Sequence, residues 1–378
     1  MSEFLLNEVC ELIVDCPHTT ANDEGKGFPL VRTPNIGKGR LVYDGMHRVC
    51  EDVYNKRNAR AIPQENDLIF AREATAGNVA LIQKGEKVCL GQRTVLIRPN
   101  QEKVNPAFLT YFLLAPKQQY NLLSTANGAT VAHVNLPTIR NLKIDLPELP
   151  TQHRIASILS RYDSLIENYQ KQIKLLEEAA QRLYKEWFID LHFPRHENTN
   201  IIDGVPEGWE KKKVGDITPI ITGKKDANFG TPDGEYPFFT CSQEPIKAPS
   251  FSFDCAAVLL AGNGDFNVKL YRGRFEAYQR TYVLSPYIDS HLYLLFYTIS
   301  ANMTKLAAGS SGSTIKFLTK GMIDGINLNV PNDEILRSFN KKVEPIQSSR
   351  ESLQSQLRLL TEARDRLLPK LMSGEITI

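Results

Sequence analysis

Two long segments with the same heptad pattern constrain this chain more than any other feature of its sequence. In the first segment, residues 151–188, apolar side chains recur at alternating steps of four and three residues. This spacing is typical of the buried seam of a coiled coil. The seam positions that we assign in the first segment are Ile155, Leu159, Tyr162, Ile173, Leu176 and Leu183.

The second segment, residues 332–378, repeats the first at a constant offset of 184 residues without a gap. The seam positions that we assign in the second segment are Phe339, Val343, Leu353, Leu357, Leu360 and Leu367. Residues off the seam also recur, such as Gln172 with Gln356 and Arg182 with Arg366. The pattern therefore predicts a duplicated chain whose two helices pair with each other as an antiparallel coiled coil.

Two features interrupt the second heptad pattern. Arg350 and Arg364 occupy seam positions, where a buried guanidinium needs a carboxylate partner. The candidate partners on the first helix are Glu167, Glu177 and Glu178. Pro345 lies inside the second segment, and we expect the helix to kink or break there because proline lacks the amide donor.

The segments before the two helices also match each other. Tyr236–Phe239 corresponds to Phe28–Val31, and Gln279–Thr281 corresponds to Gln92–Thr94. We predict strands at residues 67–71, 79–82 and 94–97 and a helix over 106–114 capped by Asn105. The fold class is thus α+β, with two similar mixed domains related by a pseudo-two-fold repeat. The predicted boundaries are residues 1–150 and 209–331 for the domains, 151–188 and 332–378 for the spacer helices, and 189–208 for a linker.

Antiparallel pairing would place the two domains at opposite ends of a rod. A helix of about 33 residues is roughly 50 Å long, at 1.5 Å per residue. This length corresponds to about 15 base pairs of duplex DNA. Two domains held about one helical turn or more apart can address two half-sites on one face of DNA.

Composition excludes several classes of protein. The formal net charge of +2 requires that any nucleic-acid surface be local. Six scattered cysteines without a C-x-x-C pair fit reduced thiols in a cytoplasmic protein better than a disulfide framework. No signal peptide or apolar run of membrane-spanning length is evident, so we expect a soluble chain with no membrane partner.

A search for catalytic or metal-binding patterns yields no strong candidate. The Gly262-Asn-Gly264 sequence lacks the rest of a phosphate-binding loop, and His192 and His196 flank Pro194, which would break an aligning helix. Asn105 precedes Pro-Ala-Phe, which resembles a methyltransferase loop but fits a helix cap better. We expect no catalytic residue, no metal and no cofactor in this chain.

Both domains carry local basic charge interleaved with aromatic and amide side chains. Such residues can neutralise phosphates or reach base edges. A Gly-[Ala/Ser]-Thr-[Val/Ile] turn also recurs at Gly128 and Gly312. The candidate DNA contacts are Arg32, Lys38, Arg40, Arg57, Arg72, Arg93, Thr130, Lys224, Lys225, Lys269, Arg272, Arg274, Arg280 and Thr314.

This arrangement resembles the specificity subunit of a type I restriction–modification system over the whole chain. The resemblance implies that each domain reads one half of a split double-stranded DNA target. It also implies that the helix pair docks two adenine-methylating modification subunits, which bring the S-adenosylmethionine site, and that a motor–nuclease restriction subunit joins them. The specificity subunit itself would be non-catalytic.

Two other functions remain open from the residues alone. The chain could serve a different restriction architecture in which methylation and cleavage share one partner chain. It could also be a coiled-coil protein scaffold, in which case the basic patches would be dispensable and affinity for duplex would be absent even at low salt.

Overall fold

The computed structural model describes residues 2–124, 133–310, 312 and 316–378. The chain divides into two compact units, of which unit 1 comprises residues 1–170 and 355–378 and unit 2 comprises residues 171–354. Each unit contains a globular domain, called domain 1 or domain 2 here, together with part of both long helices. Among the described residues, no helix has the length and apolar character needed to cross a membrane.

Domain 1 is a mixed domain that leads into the first long helix. Its strands are β1 (Ser2–Leu5), β2 (Cys10–Asp15), β3 (Phe28–Val31), β4 (His47–Val49), β5 (Leu68–Ala71), β6 (Val79–Leu81), β7 (Cys89–Leu90), β8 (Thr94–Pro99) and β9 (Lys143–Leu146). Its helices are α1 (Glu51–Arg57), α2 (Pro106–Leu114), α3 (Pro116–Leu123) and α4 (Leu136–Arg140), followed by the long α5 (Leu149–Tyr184). The predicted cap of α2 is confirmed, since the Asn105 side chain accepts a hydrogen bond from the Phe108 amide at 2.9 Å.

The core of domain 1 is organised by two sheets. A four-stranded sheet has the order β2-β8-β5-β6, and a three-stranded sheet has the order β4-β3-β7. All four residues of β5 are buried because this strand lies between β8 and β6. The three strands predicted at residues 67–71, 79–82 and 94–97 appear as β5, β6 and β8.

Domain 2 repeats this plan with a larger sheet. Its strands are β10 (Ile201–Ile202), β11 (Val205–Pro206), β12 (Glu210–Lys213), β13 (Ile221–Thr222), β14 (Tyr236–Phe239), β15 (Ile246–Ala248), β16 (Phe253–Ala261), β17 (Val268–Ala277), β18 (Thr281–Leu284) and β19 (Asn327–Val330). Its helices are α6 (Val214–Ile217), α7 (Leu292–Gly309) and α8 (Lys320–Asp324), followed by the long α9 (Asp333–Ser373). Six strands form one sheet in the order β13-β18-β16-β17-β14-β15.

The duplication is visible in the strand pairing. In domain 1, β3 pairs antiparallel with β4 and parallel with β7; in domain 2, β14 pairs antiparallel with β15 and parallel with β17. Each domain is closed by an antiparallel ribbon that joins an early strand to the strand before the long helix, β1 with β9 and β12 with β19. The repeat that the sequence predicts is therefore a repeat of topology.

In unit 1 the beginning of α5 packs against the end of α9. Ile155 and Leu159 share a core with Leu371, and Leu367 packs against the same core. The pairing is therefore antiparallel, as predicted. The seam Arg364 donates from Nη1 to Oδ1 of Asp163 at 2.9 Å, and Tyr111 donates to the other carboxylate oxygen at 2.6 Å.

In unit 2 the end of α5 packs against the beginning of α9. Ala180 and Tyr184 share a core with Phe339 and Val343, so the pairing is again antiparallel. Arg350 Nη1 lies 3.4 Å from Glu177 Oε1, which makes Glu177 the partner among those considered. None of the twelve assigned seam side chains is exposed in either unit.

The expectation of a break at Pro345 is wrong. Helix α9 is continuous from Asp333 to Ser373. Phe339 and Val343, in the turns before the proline, are both completely buried in the core of unit 2. Their burial outweighs the cost of the missing amide donor, which is about 3 kcal/mol.

The segment predicted as a linker packs on unit 2. A π-helical turn, Lys185–Ile189, continues α5 and places Trp187 and Phe188 in the core. Phe193 is buried as well, and its ring centroid lies 4.7 Å from that of Trp209. Within the predicted linker, residues 189–208, Phe193 and Pro206 are buried, whereas most of the other residues are exposed.

The Asp163–Arg364 pair generates a prediction about stability. Both side chains are largely buried, at 11% and 18% exposure. Asp163→Asn should lower the free energy of unfolding of unit 1 by about 2 kcal/mol, because it removes the largely buried carboxylate partner of Arg364 and leaves only the exposed carboxylate of Asp365. Arg364→Met added to this variant should recover at least half of the loss, measured by urea and thermal denaturation. The exposed pair of Glu3 with Lys143 provides the control, and Glu3→Gln should change stability by less than about 0.5 kcal/mol. Additive losses in the double variant would contradict the assignment.

Candidate nucleic-acid interface

The Gln-Arg-Thr turns of the two domains are held by the same backbone bonds. In domain 1 the Arg72 amide donates to Arg93 O at 2.9 Å, and the Val134 amide donates to Arg72 O at 3.0 Å. In domain 2 the Gly262 amide donates to Arg280 O at 2.8 Å, and the Leu318 amide donates to Gly262 O at 2.8 Å. Arg93 and Arg280 therefore occupy equivalent places, and both are exposed.

The recurrent Gly-[Ala/Ser]-Thr-[Val/Ile] segments precede Val134 and Leu318 in the chain. Thr130 and Thr314, which we predicted as DNA contacts, lie outside the described residues. Gly312 is described and has a backbone φ of 107°, a conformation that glycine adopts at little cost.

A continuous charged cluster surrounds Arg93 in domain 1. The Glu73 carboxylate contacts Arg93 Nη1 through one oxygen and His133 Nδ1, at 2.6 Å, through the other. The opposite ring nitrogen of His133 lies 2.8 Å from Arg72 Nη2. Burial, together with the charges of Arg72 and Arg93, lowers the pKa of His133. A neutral ring can donate from Nδ1 to Glu73 and accept at Nε2 from Arg72, so all four side chains are linked.

The equivalent place in domain 2 carries a different set of side chains. In the part of the chain that the structure describes, the Arg280 guanidinium has no ion-pair partner. Backbone bonds hold the neighbouring loop beside it, since the Gly223 amide donates to Thr281 O and the Gln279 amide donates to Lys225 O. This brings Lys224 and Lys225 close to Arg280 in the fold. Lys224 is exposed, whereas the Lys225 ammonium lies 4.4 Å from the ring centroid of Phe229.

The basic residues of β17 are already engaged to different degrees. Lys269 donates to Ser242 O at 2.7 Å, and burial lowers the pKa of Lys269. Arg272 lies over the ring of Tyr293 at 5.2 Å. Arg274 pairs with Asp254 at 3.2 Å. Arg272 and Arg274 remain exposed, whereas Lys269 is half-buried and its ammonium is hydrogen-bonded within domain 2.

The basic residues near the start of domain 1 fall into similar groups. Lys38 is exposed, and the Arg40 guanidinium lies 3.5 Å from the carboxylate of Glu167 on α5. Arg32 donates to Gly45 O at 3.2 Å. Among the described residues, no hydrogen bond links the side chains of Arg32, Lys38 or Arg40 to Arg93.

Two of the predicted DNA contacts are buried and hydrogen-bonded within domain 1. Arg57 is 5% exposed and donates to the carbonyl oxygens of Leu90 and Thr19. Arg72 is 8% exposed and donates to Val134 O at 2.9 Å as well as to His133. The sequence could not separate these residues from exposed ones, because their carbonyl partners come from distant parts of the chain.

Sequence reasoning missed Glu73 and His133, which are 60 residues apart and meet only in the fold. Glu73 follows the candidate Arg72 directly in the sequence, but its pairing with His133 and Arg93 is not a local pattern. In the described part of the chain, no group of three His, Cys, Asp or Glu side chains is arranged to hold a metal ion.

The long helices carry a second repeated feature, on their exposed sides. We define the first outer face by residues of α5 and the second outer face by the identical residues of α9. All ten are exposed, and Leu175 and Leu359 are exposed by 64% and 59%. The pairs are Gln172 and Gln356, Leu175 and Leu359, Glu178 and Glu362, Ala179 and Ala363, and Arg182 and Arg366.

Comparison with known proteins places the chain in a family. The profile of the family described as type I restriction modification DNA specificity domain matches residues 1–178 and 206–349. The chain therefore belongs to this family. Within it, the matches support a specificity subunit of a type I restriction–modification system and do not favour another restriction architecture or a protein scaffold.

Individual relatives agree with this placement. The chain is 36% identical over 177 residues to the specificity subunit of type I restriction enzyme EcoDI from Escherichia coli, covering 46% of this chain and 40% of that protein. It is 24% identical over 387 residues to the MjaIX specificity subunit from Methanocaldococcus jannaschii, covering 94% and 88%. The fold is shared with the crystal structure of the S subunit from M. genitalium, with a TM-score of 0.66, 16% identity, and coverage of 98% and 95%.

The internal role of Arg57 can be tested by stability. Arg57→Ala should lower the free energy of unfolding of domain 1 by about 2 kcal/mol, because the buried carbonyl of Leu90 and the partly buried carbonyl of Thr19 lose a charged donor. Thermal denaturation measures this loss. Lys38→Ala, at an exposed position of the same domain, is the control and should leave the melting temperature unchanged. An unaltered melting temperature for Arg57→Ala, combined with weaker DNA binding, would support the predicted direct contact.

Proposed function

We propose that this specificity subunit reads a bipartite duplex DNA target, one half with each domain, and docks two copies of one methylation subunit on its helices. The observation that carries the proposal is that both the exposed arginine turn and the exposed helix face occur twice. A protein with two copies of a reading turn and two copies of a docking face fits a split target and a duplicated partner.

The DNA-reading part rests on the Gln-Arg-Thr turns. Arg93 and Arg280 present exposed guanidinium groups from equivalent backbone positions. Guanidinium groups bind phosphates and guanine edges, and both contacts add to affinity for duplex. Lys224 and Lys38 add exposed positive charge in domains 2 and 1.

The docking part rests on the two outer faces. Identities on the seam can be explained by packing between the helices, but packing does not constrain exposed residues. Leu175 and Leu359 are exposed apolar side chains, and a docked partner chain would remove them from water. Five exposed identities per face are therefore best explained by two copies of the same partner.

The remaining components follow from the proposed assembly. The docked partners would be adenine-methylating subunits that bind S-adenosylmethionine, and a motor–nuclease subunit would join them for cleavage. The present chain would contribute recognition without turnover of its own. Since its target is DNA, we place the complex in the cytoplasm.

Bipartite reading predicts a strict dependence on spacing. In a complex reconstituted with the methylation subunit, affinity for a duplex carrying both half-sites should fall by at least tenfold when the gap changes by two base pairs, because the second domain then faces the wrong part of the groove. Electrophoretic mobility shift at fixed salt measures this dependence. A duplex in which both half-sites are scrambled at constant length is the control. Equal affinity for every gap length would exclude the proposal.

The outer faces predict the stoichiometry of docking. Leu175→Asp and Leu359→Asp should each reduce the number of bound methylation subunits from two to one, because each variant charges one apolar contact. Native mass spectrometry counts the subunits. Leu165→Asp is the matched control, since Leu165 is 43% exposed on the same helix but its counterpart at the 184-residue offset is Ser349. Two bound subunits in both variants would show that docking occurs elsewhere.

A further inference from the structure

The two Gln-Arg-Thr turns share their backbone frame but differ in their side chains. In domain 1, Arg72, His133, Glu73 and Arg93 form one continuous chain of contacts. In domain 2, the backbone bonds place Gly262 where domain 1 has Arg72. The next residue is Asn263, and it forms an isolated bridge with Phe317, the counterpart of His133 at the 184-residue offset. At these two positions, domain 2 therefore has no counterpart of the Glu73 carboxylate or of the His133 imidazole.

We propose that Glu73 is a positioning residue that holds Arg93 to read a guanine edge in the half-site of domain 1. Arg280, which has no ion-pair partner among the described residues, contacts phosphate in the half-site of domain 2. The inference rests on the proposed DNA-reading function. It adds which of the two equivalent arginines carries sequence information, and why.

The first argument concerns orientation. Arg93 is 58% exposed, so without a partner its long side chain would sample many rotamers. Glu73 is only 14% exposed, and its second oxygen is fixed by His133 at 2.6 Å. This carboxylate is largely buried and each of its oxygens contacts a different side chain, so it holds Nη1 of Arg93 in a fixed place. The Nε and Nη2 side of the fork is then presented in one orientation, which matches the N7 and O6 acceptors of guanine.

The second argument concerns charge. A carboxylate beside a guanidinium cancels much of the positive potential that would attract a phosphate at that place. Phosphate binding gains nothing from such a neighbour, whereas bidentate base reading gains preorganisation. Arg280 has a different environment, because it is exposed, it lacks an ion-pair partner among the described residues, and it lies close to Lys224 and Lys225. The carboxylate of the neighbouring Asp226 accepts a hydrogen bond from Gln279 Nε2 at 2.6 Å and is not paired with Arg280. That environment favours a phosphate.

The third argument concerns the backbone. Arg93 has a φ of 63°, in the left-handed region that non-glycine residues rarely occupy. Such a conformation has an energetic cost, and it persists where surrounding contacts require it. The hydrogen bond from the Arg72 amide to Arg93 O holds the backbone of Arg93, and the contact with Glu73 holds its side chain.

The test compares variants in the complex reconstituted with the methylation subunit, using competition binding to a library in which every position of both half-sites is varied. Glu73→Gln and Arg93→Lys should each reduce the preference for one and the same G·C pair in the half-site of domain 1 by about tenfold. The profile of the other half-site should stay unchanged. Arg280→Ala should weaken binding to all sequences alike and reduce the slope of log affinity against log salt by about 1.

Several controls separate this inference from simpler effects. Glu3→Gln removes an exposed carboxylate–lysine pair from the same domain and should leave both profiles unchanged. If Glu73→Gln unfolds domain 1, Arg93→Lys carries the test alone, since its side chain is exposed and lysine keeps the charge without the fork.

Three outcomes would overturn the inference. One is an unchanged profile for both Glu73→Gln and Arg93→Lys, and another is a uniform loss of affinity in these variants with a reduced salt slope. The third is a loss of preference at a single base pair in Arg280→Ala. If the unmodified complex showed no sequence preference in either half-site, the proposed function itself would fail, and this result is distinct from the other three.

Discussion

The antiparallel pairing of the two long helices is the interaction on which the rest of this structure depends. Each unit contains part of α5 and part of α9, and its hydrophobic core continues from the globular domain into the helix seam. Within each unit, the domain and the helix seam therefore stabilise each other through one continuous core.

Charge on the seam gives this pairing its register. In unit 1 Arg364 of α9 meets Asp163 of α5, and in unit 2 Arg350 of α9 meets Glu177 of α5. Both arginines lie on one helix and both carboxylates on the other. A seam made of two copies of α5 would bring these carboxylates together without the seam arginines, and a seam made of two copies of α9 would lack Asp163 and Glu177. Partly buried charges without a counter-ion are costly, so the diverged repeat favours pairing of unlike helices.

The two domains share the backbone hydrogen bonds of the Gln-Arg-Thr turn but differ in the side chains around it. The backbone bonds around Arg93 and Arg280 agree to within a few tenths of an ångström in length, and the ribbons that close the two domains have the same pairing. Side chains around the frame have changed freely, from Glu73 and His133 to Asn263 and Phe317. The repeat therefore keeps the backbone hydrogen bonds of the turn while the side chains around it differ.

The sequence by itself determined the parts of this protein that follow from periodicity and local chemistry. The heptad pattern predicted both long helices and their antiparallel pairing, the 184-residue offset predicted the duplicated α+β domains, and Asn105 predicted the cap of α2. These succeed because their causes lie within one turn of a helix or within one repeat. Only the tertiary structure decided that Pro345 lies in an unbroken helix, that Arg57 is internal, and that Glu73, His133 and Arg93 form one cluster. Each of these outcomes depends on contacts between residues far apart in the chain, whose energies no local pattern contains.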